Sequence, residues 1–390
     1  MPKLSPLAGN VRRGVFADLE GAIAARRAAG GALAPLHIGD THLSPPDAAR
    51  FERVLHGPDA ELYAYGATVG TAALRGALAR RAVELGRAHD VDPDRNVLVG
   101  VGATHALSCA IRAVVAPGDA VTLFAPYWPL AHGILASAGA RVDELAWFGE
   151  ARERTVDARA LGAAIPEGTR ALYLITPNNP DGRVLTRAEL TAVAEVAVAR
   201  DLWVVADEVY ADYLYDGREH VSIATLPGMA ERTITAFSFS KSHALAGARV
   251  GWVVAPEAVV GHARRLAVHT VFNVPVVAQR AALAALADDA WVTRARATYD
   301  HARGRAVERL ARTKLRFSVP EGGVYVFADF APVLDGRTLP ELLTRAIGEG
   351  ALVAPGDAFG ERFATWARIC FTSAPLAEVE RGLDALVRAF

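Results

Sequence analysis

Cysteine is almost missing from these 390 residues: only Cys109 and Cys370 occur, with no paired spacing. Neither a disulfide framework nor a cysteine-rich zinc site can be built from two such residues, and a reducing, cytoplasmic setting is the expectation. Neither sign of charge dominates. The 42 Lys+Arg and 43 Asp+Glu leave a formal net charge of -1, which gives no electrostatic footprint for nucleic acid or an anionic membrane. The start, MPKLSPLAGNVRRG, lacks an apolar segment behind its charges, so a signal peptide is not expected. Residues 120–140 carry no Asp, Glu, Lys or Arg, yet Pro126, Pro129 and His132 interrupt them. That stretch reads as strand, turn and helix rather than a membrane span. Also absent are H-E-x-x-H, G-x-S-x-G and a Walker Gly-Lys-Ser/Thr loop, and the eleven histidines show no metal-ligand spacing, so no metal site is expected.

Lysine is the scarcest cation. Against 39 arginines there are three lysines, Lys3, Lys241 and Lys314. A guanidinium stays protonated, whereas an ammonium can lose its proton and act as an amine, so a retained lysine is a candidate for amine chemistry.

At roughly 150 residues per domain, the length allows two substantial domains. Short β-branched runs (NVLVG near 97, AVTLFA at 120, ALYLIT at 171, LWVVA at 202, TITAFS at 233, VGWVVA at 250) alternate with helical patterns, one of them over residues 103–115. Continuous apolar runs suit strands covered on both faces, as in a largely parallel α/β sheet. The last ninety residues differ. RFSVP and GGVYVFADF read as strands, a helix follows near 339–348, and Val379, Leu383, Leu386, Val387 and Phe390 mark one face of a closing helix. A second, α+β unit is expected, with the functional cleft between the two.

The candidate site residues lie at strand ends. The G-V-G at 100–102 is no dinucleotide fingerprint: His105 stands where its third glycine belongs, and the next strand ends in Pro126-Tyr127 instead of an acid. What remains is a turn and a helix N-terminus suited to one phosphate. TPNNPDG (176–182) holds two of the five asparagines after a strand, although Asn-Pro and Asp-Gly are also ordinary turn formers. VVADEVY (204–210) places Asp207 at the end of an apolar strand, where a carboxylate needs a partner. Its neighbour Glu208 competes for that role, and the strand pattern does not decide. SFSKSHALAGARVG (238–251) adds Lys241 and, eight residues on, Arg249. His37, His42, His105 and His243 fall in or near these segments.

Together these segments resemble the class I/II aminotransferases, pyridoxal-phosphate enzymes of fold type I, from LHIGD at 36 to ARICFTSA at 367. The resemblance implies a homodimer. It also implies a large domain (48–285) around a mostly parallel seven-stranded sheet and a small α+β domain from both chain ends (1–47 and 286–390). Lys241 would carry pyridoxal 5'-phosphate as an internal aldimine and then move the proton. Asp207 would pair with the pyridine nitrogen, raising its pKa. Asn179 and Tyr210 would hydrogen-bond the ring oxygen, and Trp128 would stack on the ring. Ala103, Thr104, Ser238 and Arg249 would hold the phosphate, with Tyr65, or its competitor Tyr63, reaching the neighbouring subunit's phosphate. Arg368 would clamp the substrate carboxylate, with Gly39 and Asn179 lining the substrate pocket. The implied reaction is a ping-pong transfer of an amino group between an L-amino acid and a 2-oxo acid. A lyase, cyclase or amino-acid oxidase on the same fold, and a noncatalytic cofactor-binding regulator, are the alternatives. Three positions depart from the family pattern: Asp181 stands where threonine is common, Ala248 where a bulkier residue is usual, and His42 where relatives often carry an aromatic.

Overall fold

The computed structural model describes residues 6–9, 11–12, 14–55, 62–146 and 157–390. Among them no helix is long and apolar enough to cross a membrane. Residues 120–140 form the strand, turn and helix expected of them, Ala120–Phe124 and Pro129–Ser137.

Seven strands build the main sheet: β1 (Val97–Val101), β2 (Ala120–Phe124), β3 (Arg141–Leu145), β4 (Thr169–Ile175), β5 (Trp203–Asp207), β6 (Thr233–Ser238) and β7 (Val250–Val254). Their order is β1-β7-β6-β5-β4-β2-β3. β3, β2, β4, β5 and β6 pair in parallel, while β7 runs antiparallel to both β6 and β1. Leu98, Val121, Leu172, Val204, Ile234 and Val253 are fully buried, each stabilising the fold by about 1.5–3 kcal/mol relative to exposure. One face packs under the helices Gly102–Val114 and Glu257–Thr270, the other under Arg187–Ala199 and Val276–Ala285. β3, RVDEL, is missing from the hydrophobic reading of the sequence because it is an edge strand whose charged side chains keep it from further pairing.

A four-stranded antiparallel sheet forms the second layer, in the order β10 (Ala354–Pro355), β11 (Trp366–Cys370), β9 (Tyr325–Asp329), β8 (Arg316–Phe317). The helices Asp289–Leu310, Leu339–Glu349 and Leu376–Arg388 contribute to the same apolar core. Val379, Leu383 and Leu386 are buried there as the helical spacing predicts, but Val387 is 37% exposed at the helix end. The early chain joins this core. Ala34 bridges to Ala351, and the Cys370 amide donates to the Leu36 carbonyl at 2.7 Å.

This topology gathers the functional loops on one edge. The segments after β1, β2, β4, β5 and β6 leave the sheet at the carboxyl ends of their strands. β7 is reversed, so the residue preceding it, Arg249, arrives at that same edge: Val250 pairs with Val101, and Gly251 with Ser238. Such an edge is where open α/β sheets bind ligands.

Candidate active site

A cavity of about 320 Å³ opens at this edge, closed on its far side by β9, β11 and the segment at 38–39. Eleven of the twelve residues expected at the site line it: Gly39, Ala103, Thr104, Trp128, Asn179, Asp207, Tyr210, Ser238, Lys241, Arg249 and Arg368. They come from eight separate stretches of chain, brought together by the strand order. Tyr65, which the resemblance assigns to the neighbouring subunit's phosphate, does not line this cavity. It is 86% exposed and packs against Phe272 at 4.7 Å between ring centroids, while its competitor Tyr63 is 91% exposed.

Lys241 sits on the short helix Phe239–Ser242 directly after β6, and its ammonium donates to the Gly39 carbonyl. Burial pushes its pKa below the ordinary lysine value; Asp40 pulls the other way, and Arg368 and Arg249 add to the lowering. The amine is thereby nearer to its reactive, uncharged form.

Asp207 ends β5 and is 3% exposed. Burial raises its pKa to about 6, opposed by the Val209 amide at Oδ1 and the Tyr173 hydroxyl at Oδ2, both at 3.3 Å. Of the two adjacent acids only Asp207 lines the cavity. Glu208 turns away from the cavity and is satisfied by Ser222 and His220, each at 2.7 Å, leaving Asp207 as the acid that faces it.

At one end of the cavity begins the 13-residue helix Gly102–Val114, with no acidic side chain in its first turn. Its leading amides carry the partial positive charge of a helix N-terminus, and the Ser238 and Ser240 hydroxyls and the Arg249 guanidinium line the same space. Gly102 is required here. It adopts φ +70°, and a Cβ on it would lie 2.3 Å from Arg249 Nη2. Arg249, itself left-handed at φ 55°, donates to the Ala246 carbonyl at 3.0 Å.

At the opposite end Arg368 rises from β11. Nη1 donates to Asn179 Oδ1 at 2.9 Å and Nη2 to the His37 carbonyl at 2.7 Å. Its guanidinium lies over the Tyr325 ring, 4.2 Å from the centroid, and near Phe359 at 4.9 Å. Nε is buried with no hydrogen-bond partner. Nearby His37 is kept neutral at neutral pH, its pKa lowered to about 4 by burial and by the charges of Arg368 and Arg27.

Tyr325 escaped the sequence reading, which took GGVYVFADF only as a strand of the second unit. Its hydroxyl shares a 2.8 Å hydrogen bond with that of Tyr210 and reaches so close to Gly39 that a Cβ there would collide with it at 1.5 Å. The register of β9 beside β11 brings Tyr325 opposite Cys370, next to Arg368, and no local motif encodes that pairing. Ile38, Leu130 and Ser240 also line the cavity unannounced. The departures are accommodated locally. Asp181 accepts from the Asn178 side chain at 2.9 Å and the Arg183 amide at 3.1 Å, closing the turn, and Ala248 is buried. The His42 ring meets the Thr372 carbonyl at 3.1 Å outside the cavity lining. Among the described residues no group of His, Cys, Asp and Glu could hold a metal ion.

Comparison with known proteins gives the same picture. The family model for aminotransferase class I and II matches residues 35–386. The chain is 39% identical over 300 residues to the arginine–pyruvate transaminase of Pseudomonas aeruginosa, covering 76% of this chain and 75% of that one. It is 31% identical to an aspartate aminotransferase of Pyrococcus abyssi across 90% of both. Among solved structures it superposes on a mutant Thermus thermophilus aspartate aminotransferase with a TM-score of 0.90, and on the N-succinyldiaminopimelate aminotransferase of Mycobacterium tuberculosis with 0.89. The identities are 27% and 28%, and each covers both chains completely. With its fold, its cavity and a family match over most of its length, this chain belongs to the class I and II aminotransferases, the pyridoxal-phosphate enzymes of fold type I.

Proposed function

We propose that this protein moves an amino group between an L-amino acid and a 2-oxo acid in two half-reactions, using pyridoxal 5'-phosphate held by Lys241. The observation that carries this reading is the amine of Lys241, depressed in pKa, in one cavity with Asp207, the helix N-terminus at Gly102 and Arg368. The donor set fits the cofactor. Lys241 Nζ suits its aldehyde, Asp207 its ring nitrogen, and Asn179 and Tyr210 its ring oxygen. Trp128 suits its ring face, and Ala103, Thr104, Ser238 and Arg249 its phosphate. An unpartnered buried Nε on Arg368 is a feature a ligand would complete.

When bound, the cofactor supplies an electron sink for the bond broken at the substrate Cα. Arg368 orients the amino acid by pairing with its carboxylate, a planar donor fork against a planar acceptor. The Lys241 amine would act as the base that takes the proton from Cα and as the acid that returns it to the carbon on the far side of the substrate nitrogen, a task its lowered pKa suits. Asp207 would favour a proton on the ring nitrogen by placing a buried carboxylate opposite it. Exposed Tyr65, or Tyr63, belongs in this proposal to the phosphate site of a second copy in a homodimer, each subunit of which has a large domain over 48–285 and a small domain from 1–47 and 286–390.

Mixing the cofactor-loaded protein with amino acids one at a time tests the reaction. Equal amounts of 2-oxo acid and the amine form of the cofactor, with no ammonia, are expected; ammonia released in step with the oxo acid would instead mark elimination or oxidation.

A further inference from the structure

Tyr173 is a polar residue where the sheet calls for an apolar one. It lies in the middle of β4, fully buried, paired with Leu123 of β2 and Val205 of β5. The core around it, from Ile175 and Val205 to the helix Gly102–Val114, is hydrophobic. A hydroxyl buried there without a partner costs more than the phenylalanine that would fill the same space. Its partner is Asp207. In the register of the two strands Ile175 pairs with Asp207, so Tyr173, two residues before Ile175, points to the same face one step back from the acid. The hydroxyl donates to Oδ2 at 3.3 Å.

We propose that Tyr173 is a positioning residue for the cofactor: from inside the sheet it holds the Asp207 carboxylate ionised and fixed toward the cavity, so that the acid meets the ring nitrogen as an anion. The inference rests on the cofactor assignment above and adds to it a residue outside the cavity lining. A donor on the carboxylate favours its charged form, and it also makes that carboxylate less basic, leaving the shared proton on the ring. Tyr173 from β4 and Lys241 after β6 act on Asp207 from neighbouring elements, and the charge of Glu208 beside it acts from the other side of the strand. Burial and Glu208 push Asp207 toward the neutral acid; Tyr173 and the Val209 amide oppose them. The phenol stays protonated and able to donate, its own pKa raised well above the usual value by burial and by Asp207.

The test is Tyr173→Phe, which removes one oxygen. Two readouts apply: protonation of Asp207 in the apoprotein, followed by isotope-edited infrared of the carboxyl with Asp207→Asn as the assignment, and the pH dependence of pyridoxal-phosphate affinity. In wild type both should turn near pH 6. In the variant both midpoints should rise by about one pH unit, a tenfold change in the proton-binding constant. An unmoved midpoint overturns the proposal. Thr122→Val, which removes another buried hydroxyl of the same sheet, should leave the midpoint in place; an equal rise there would assign the effect to general loosening and also overturn it. If Tyr173→Phe does not fold, the wild-type apoprotein suffices. A tyrosine absorbance change should titrate together with Asp207, and its absence would count against the hydrogen bond. Failure of the wild type to bind pyridoxal phosphate would sink the functional reading, while the apoprotein measurements would still judge Tyr173.

Discussion

Asp207 and Asp212 lie five residues apart, both largely covered by protein, and the chain treats them in opposite ways. Burial pushes Asp212 up, but Arg87, bonded to it directly, and Arg81, 4.0 Å away, more than reverse that push and leave it below the usual carboxylate range. Asp207 is given only neutral donors at 3.3 Å, a carboxylate beside it and a more distant lysine, and rises to about 6. One acid has its cation built in. The other faces a cavity, short of a positive charge that a protonated ring nitrogen would provide. Two carboxylates in one segment thus differ in what the protein supplies, a built-in cation for Asp212 and only neutral donors within 3.3 Å of Asp207.

Exchanging each acid for its amide should break this symmetry. Asp207→Asn keeps the shape but removes the charge opposite the ring nitrogen, and turnover should fall on the order of a thousandfold while the melting temperature holds or rises. Steady-state rates alongside a thermal melt check both halves. Asp212→Asn should do the reverse: stability falls by about 3 kcal/mol in urea titration, because Arg87 loses its counter-charge, with far less effect on the chemical step of the protein that remains folded.

A further effect, similar in size, is one of pH. Between about pH 4 and 6 the folded apoprotein holds a proton on Asp207 that the unfolded chain releases, so this group's contribution to stability declines as pH rises through that window. The whole change amounts to about 3 kcal/mol at 1.36 kcal/mol per pH unit. Subtracting the Asp207→Asn curve from wild type should isolate it, since His37 and His243, both lowered to about 4 by burial, act with the opposite sign and cancel in the difference.

Much of the site was legible in the chain because its residues sit where strands end. Apolar runs locate those ends, and a lone lysine, an asparagine pair and an acid stand out against them. The resemblance then supplied roles for residues whose type says little, such as Arg249 and Arg368 in a chain rich in arginine. What stayed hidden was set by pairing across the sheets. Glu208 and Asp207 are equivalent by sequence until Ser222 and His220 claim one of them. Tyr325 depends on the β9–β11 register, and Tyr173 reads as one more strand residue until β5 is laid beside it. Tyr65, which the resemblance assigns to a neighbouring subunit's phosphate, is exposed on this chain and packs against Phe272.

The central claim is that one amine holds the cofactor, and a composition with three lysines makes it directly testable. Reducing the pyridoxal-phosphate-loaded protein with borohydride, followed by proteolysis and mass spectrometry, should place a single phosphopyridoxyl group on Lys241. Labelling of Lys314 or Lys3 in its place, or an unmodified Lys241 in protein that retains full activity, would contradict the account.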